Sequence, residues 1–124
     1  MKRTILALVI PLVTVLVLPA PLHADPPEVI KAEAQRNGMG WRIDVTLAHP
    51  DSGWDHYADG WRIEDKAGNT LAYRELMHPH VEEQPFTRSL FNVMLPDGMK
   101  EIWIRAHCNT DGWSEARHAL ALAP

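Results

Sequence analysis

The chain has a single cysteine, Cys108, in 124 residues. An internal disulfide is thereby excluded, and the fold must be held by its core alone. There is no Gly-rich phosphate loop after a strand, no Gly-x-Ser-x-Gly elbow and no helical period to carry a His-Glu-x-x-His pair. The common signatures of nucleotide binding, serine hydrolysis and metalloproteolysis are therefore missing. A dyad of His107 and Cys108 fails on geometry, because adjacent strand residues point to opposite faces. The reading is a non-enzyme. Basic residues are also scarce. Without Lys2 and Arg3, 10 Lys and Arg face 16 Asp and Glu, a net charge of about −6 with the histidines neutral, which argues against nucleic acid and anionic membrane surfaces as partners.

Long apolar runs are absent except at the start. Met1-Lys2-Arg3 followed by Thr4 to Leu18 has the charged-then-apolar build of a secretory signal peptide, interrupted by Pro11 and short for a bilayer span. Pro19-Ala20-Pro21-Leu22-His23-Ala24 ends in a small residue suited to cleavage before Asp25. Residues 1–24 are thus expected to be a leader, with no stable membrane anchor after cleavage and a periplasmic or secreted destination. No cysteine follows the run to take a lipid. Residues 25–124 amount to one domain, near the size at which a single core becomes self-sufficient.

Within that domain, short strands alternate with turn signals. Trp41, Ile43, Val45 and Leu47 alternate with Arg42, Asp44 and Thr46, the period of a half-buried strand. Ile102, Ile104 and Ala106 mark a second such row within Glu101 to Cys108. Further strands are expected over Val29–Gln35, Tyr57–Glu64, Thr70–Leu76, Thr87–Leu95 and Glu115–Leu122. Asp65-Lys66-Ala67-Gly68-Asn69 should form a hairpin connection. Seven strands at this spacing predict an all-β, antiparallel, single sandwich, with a six-stranded barrel as its rival.

Leu95-Pro96-Asp97-Gly98-Met99-Lys100-Glu101-Ile102-Trp103-Ile104-Arg105-Ala106 resembles the corner and sixth strand of fibronectin type III domains. Trp61 falls where immunoglobulin-like sandwiches often bury a tryptophan on the third strand. The sequence departs from the pattern in lacking the corner tyrosine, Ile102 and Trp103 standing nearby. The resemblance implies a seven-stranded sandwich of that type and no function. Gly53 to Trp61 and His78 to Leu90 are also similar to a group of small exported bacterial proteins, itself uncharacterised.

The densest chemistry lies in Met77-His78-Pro79-His80-Val81-Glu82-Glu83-Gln84-Pro85-Phe86, where prolines stiffen a loop with two imidazoles and two carboxylates. In a sandwich of the implied type, the second-to-third, fourth-to-fifth and sixth-to-seventh connections share one end. They carry or adjoin His49 and His56, then His78 and His80, then His107, Cys108 and His118. These are all six histidines left of the 7 once His23 goes with the leader. Imidazoles so gathered suit a transition metal, copper or zinc, and Cys108 or Met77 could add a soft ligand.

The expected ligands are His78 and His80 first, then His56 and His107, with Glu82, Glu83 and Asp55 orienting them. Without a metal, the three histidine loops would present Trp54 and Trp113 to a cell-envelope protein or a glycan. Clustered histidines also predict that mild acid loosens this end. A solvated, proline-stiffened His-Pro-His loop that binds nothing is the plainest alternative.

Overall fold

The structure, a computed structural model, describes residues 10–19 and 25–123. The expected leader lies largely outside these residues, and its described part, 10–19, is exposed without regular secondary structure. Among the described residues no helix is long and apolar enough to cross a membrane.

Eight antiparallel strands form two sheets: β1 (Glu28–Asn37), β2 (Gly40–Ala48), β3 (Ala58–Glu64), β4 (Thr70–Glu75), β5 (Phe86–Val93), β6 (Glu101–Cys108), β7 (Gly112–Trp113) and β8 (His118–Ala121). One sheet has the order β1-β2-β5. The other has β4-β3-β6, with β7 and β8 both pairing with β6. The sheets do not close on each other, so the barrel alternative falls. The seventh strand expected over Glu115–Leu122 is shortened to β8, and a two-residue strand not expected from the sequence, β7, precedes it. Ser114 turns inward between them, donating its amide to Ala106 at 2.9 Å and its hydroxyl to the Pro27 carbonyl at 3.2 Å, and the chain leaves β6 until His118.

The period-two rows hold. Trp41, Ile43, Val45 and Leu47 of β2 are buried, as are Ile102, Ile104, Ala106 and Cys108 of β6. With Trp61 and Ile63 of β3 and Phe86 of β5, the apolar members of these rows form one core drawn from both sheets. The hairpin between β1 and β2 turns at Gly38, whose φ of 62° a side chain would resist. Gly60 is required for a different reason: the Tyr73 ring lies where its Cβ would sit.

Candidate metal centre

Both buried rows run one step past the apolar core and finish in a ligand atom. Extending the inward parity of β2 beyond Leu47 gives His49, whose side chain is fully buried. Extending that of β6 beyond Ala106 gives Cys108, also fully buried. The two ends are brought together by the β2–β3 connection. There Ser52 donates its amide to the His56 carbonyl at 3.0 Å and His56 donates its own to Gly53 at 3.2 Å. This small loop folds the His56 ring edge-on to that of His49, with centroids 4.8 Å apart. Among the described residues, His49, His56 and Cys108 form one group whose ligand atoms all lie within 4.8 Å of one another.

The electrostatics of this group are unusual. Nε2 of His49 and Nε2 of His56 are both buried and neither has a hydrogen-bond partner. An orphaned buried polar group costs about 1–3 kcal/mol. Burial pushes the Cys108 thiol above its ordinary pKa, against the opposing Asp111 and Thr110 amides, with the Asp111 carboxylate adding a lesser upward contribution.

Asp51 builds the frame. Its Oδ1 accepts from His49 Nδ1 at 2.5 Å and from the Ala58 amide at 3.0 Å, while Oδ2 accepts from the His80 amide at 2.8 Å. A carboxylate on Nδ1 fixes the tautomer and leaves the lone pair on Nε2, the arrangement by which ligating histidines are ordinarily oriented. Gln84 joins the β4–β5 connection to the same frame. It accepts from the His49 amide at 3.0 Å and donates to the His80 carbonyl at 2.8 Å. The turn after β6 is riveted to the β2–β3 connection through the Asn109 side chain, which accepts from Tyr57 N at 2.9 Å and donates to Trp54 O at 3.0 Å, and through Thr110, which donates to Asp55 O at 2.9 Å. The three histidine-bearing connections do meet at one end.

The four imidazoles expected to lead a metal site are spread over three places. His56 joins the group above. His80 is buried, stacked on Phe86 at 3.8 Å, and its Nε2 accepts from Arg88 at 2.8 Å. Burial first and the Arg88 charge second lower its pKa. His78 is exposed beside it, ring centroids 4.5 Å apart, with Nδ1 donating to Pro79 O at 3.0 Å. His107 lies on the outer face of β6, its Nδ1 bonded to Asp59 and its ring 4.7 Å from that of Trp113.

Met77, Glu82, Glu83 and Asp55 are all exposed, and Glu83 stands 3.7 Å from Arg88. Trp54 is exposed near its loop tip, whereas Trp113 carries the Arg62 guanidinium 4.0 Å over its ring. His118, half-buried, borders an apolar cleft of about 700 Å³ that His49, Pro27, Val29 and Ala48 also line. The sequence reading places His49 among the histidines of this end without naming it as a ligand, and does not single out Asp51. Continuing the β2 alternation by one step would have found His49. Asp51, two residues on, has no local signature beyond turn composition.

No protein-family profile matches the chain, and no solved structure does. A stretch of 76 residues is 42% identical to a protein of Halomicrobium mukohataei named "Putative lipoprotein", covering 61% of this chain and 37% of that one. The chain thus spans little more than a third of that relative's length.

Proposed function

We propose that this protein is a small exported, non-catalytic β-sandwich of the fibronectin type III-like kind that binds a transition metal, copper or zinc, through His49, His56 and Cys108 at one end. One observation carries the reading: two buried imidazole nitrogens without partners converge on one buried thiol. Buried donors oriented from behind by a carboxylate are what a metal site requires and what an apolar core avoids. The separations of up to 4.8 Å exceed the roughly 3.3–3.6 Å between donors on one zinc ion, so the side chains draw inward on binding. Two features support the fold assignment. The first, second and fifth strands oppose the third, fourth, sixth and last, and the connections carrying the histidines share an end. Export is supported by the Met1–Ala24 leader pattern and by the relative's name.

The test is elemental analysis and calorimetric titration of untagged protein with Cu(I), Cu(II) and Zn(II). Stoichiometric sub-micromolar binding is expected, lost by more than about 100-fold in Cys108→Ser and kept in His78→Ala. Binding no tighter than about 10 μM, roughly −7 kcal/mol, would retire the metal reading. Trp54, 66% exposed beside His56, favours a second reading, a surface for an envelope protein or glycan. In that case Trp54→Ala abolishes capture of the partner and metal is irrelevant.

A further inference from the structure

The group of His49, His56 and Cys108 offers three donors, whereas a structural zinc ion takes four. We propose that Asp111 is the fourth ligand, and that the centre is a closed four-coordinate site selective for Zn(II) over Cu(I). This deepens the metal reading and rests on it.

Geometry is the first argument. Asp111 Oδ2 lies 3.4 Å from His56 Nε2, yet that nitrogen makes no hydrogen bond. Two groups so close and so poorly aligned are badly placed for each other. They are well placed for a shared cation, because nitrogen and oxygen ligands about 2.0–2.2 Å from one tetrahedral zinc stand about 3.3 Å apart. One carboxylate therefore already stands beside one of the three donors.

Position is the second. Asp111 occupies the turn between β6 and β7, where Gly112 takes a φ of 79° and the neighbouring Asn109 and Thr110 bind the β2–β3 connection. The backbone that carries the carboxylate is thus tied to the loop that carries His56.

Charge is the third. Zn(II) binding breaks the S–H bond of Cys108, forms a Zn–S bond and releases the proton to water. The thiolate, the Asp111 carboxylate and two neutral imidazoles then leave the first shell with no net charge. Cu(I) in the same shell would leave one net negative charge beside the buried His49 and Cys108, which low-polarity surroundings penalise. Asp51, behind His49, adds a further negative charge that His49 Nδ1 and two backbone amides solvate but do not neutralise, which again favours the dication. Nitrogen and sulfur donors exclude calcium and magnesium.

The experiment measures Zn(II) and Cu(I) affinity separately, by chelator competition on the untagged full chain, for the wild type, Asp111→Asn, Asp111→Ala and Cys108→Ser, with thermal melts to verify folding. Asp111→Asn and Asp111→Ala should weaken Zn(II) by at least about tenfold, the least that loss of even an outer partner costs. Cu(I) affinity should change less than about threefold, and Cys108→Ser should lose both metals. Zinc binding that needs Cys108 but ignores both Asp111 variants overturns the ligand assignment and leaves the metal reading standing. Equal losses of the two metals overturn the selectivity. A wild type that binds neither metal overturns the metal reading, and this inference with it.

Discussion

Two buried polar clusters in this molecule invite comparison. On the outer face of the five-stranded sheet, the Glu64 side chain is fully buried under three arginines, with Arg62 Nε at 2.6 Å, Arg105 Nε at 2.9 Å and Arg117 Nε at 2.8 Å. Those guanidiniums are themselves occupied. Arg105 donates to Ser114 O at 3.1 Å, Arg117 donates to Asp65 O at 2.5 Å and lies 5.0 Å over Trp103, and Arg62 lies over Trp113. Burial alone would raise the Glu64 carboxyl, but hydrogen bonds from Arg62 and Arg105 and their charges outweigh it and hold the pKa below the usual range.

At the histidine end, by contrast, two buried imidazole nitrogens lack hydrogen bonds, and the thiol beside them has only a long one to Asn109 Oδ1 at 3.9 Å. Trp61 Nε1 and His80 Nδ1 are also unpaired, but each stands apart from the His49–His56–Cys108 group. A cluster closed on itself serves the sheet it covers. One whose buried nitrogens lack partners carries a cost that its own hydrogen bonds do not offset.

The sharpest way to break this contrast is to open the closed cluster. Glu64→Gln leaves three guanidiniums crowded without their counter-charge, and breaking a buried pair from one side costs about 3–5 kcal/mol. Denaturant unfolding should show that loss while metal affinity stays unchanged. The linkage has a definite sign. Because Glu64 has a depressed pKa in the folded state, its stabilisation is complete above the unfolded carboxylate value of about 4.3 and disappears as pH falls through the folded value. The variant should lack that part of the acid dependence. Coupled loss of stability and metal affinity would mean that the two clusters are not separate.

Asp51→Asn probes the other side at smaller cost. The amide keeps the shape but cannot accept as strongly from His49 Nδ1, the Ala58 amide and the His80 amide together. We expect about 1–3 kcal/mol of lost stability in the metal-free protein. Metal affinity should fall by about 10–100-fold, the usual cost of removing the partner that orients a ligating histidine. Stability loss with unaltered metal affinity would make Asp51 a loop brace and nothing more.

How much of this could be read in advance follows from what each feature depends on. The β2 and β6 rows were legible because one-sided burial stamps a period of two on the sequence, and the order of connections placed the histidines at one end. Which histidines converge was not legible. It depends on the β2–β3 loop folding back between Gly53 and His56, and on Asp51 being pulled inside, and a turn aspartate looks the same whether buried or solvated. His-Pro-His drew attention by local composition, whereas the use of His80 is set by Phe86 and Arg88 across the loop. Likewise Trp54 and Trp113 have similar flanks, but Trp113 is claimed by Arg62 from another strand.

His80 offers the finest test of the comparison, because it sits at the histidine end yet is packed like a core residue. Its pKa is lowered by burial, then by Arg88 and His78, with Glu83 and Asp51 opposing more weakly. Above about pH 6.5 the ring is neutral whether the chain is folded or not, and it contributes no pH dependence. As pH falls below that value the unfolded chain takes up the proton first, so stability declines until the folded value is passed and then levels off. His80→Phe keeps an aromatic ring against Phe86 and removes the titration. Urea midpoints collected from about pH 5 to pH 7.5 on metal-free protein should slope downward toward acid in the wild type and less so in the variant. The effect should be smaller than that of Asp51→Asn, since no partner charge is stranded at neutral pH. An identical slope in the two proteins would show that His80 does not carry the acid sensitivity of this end.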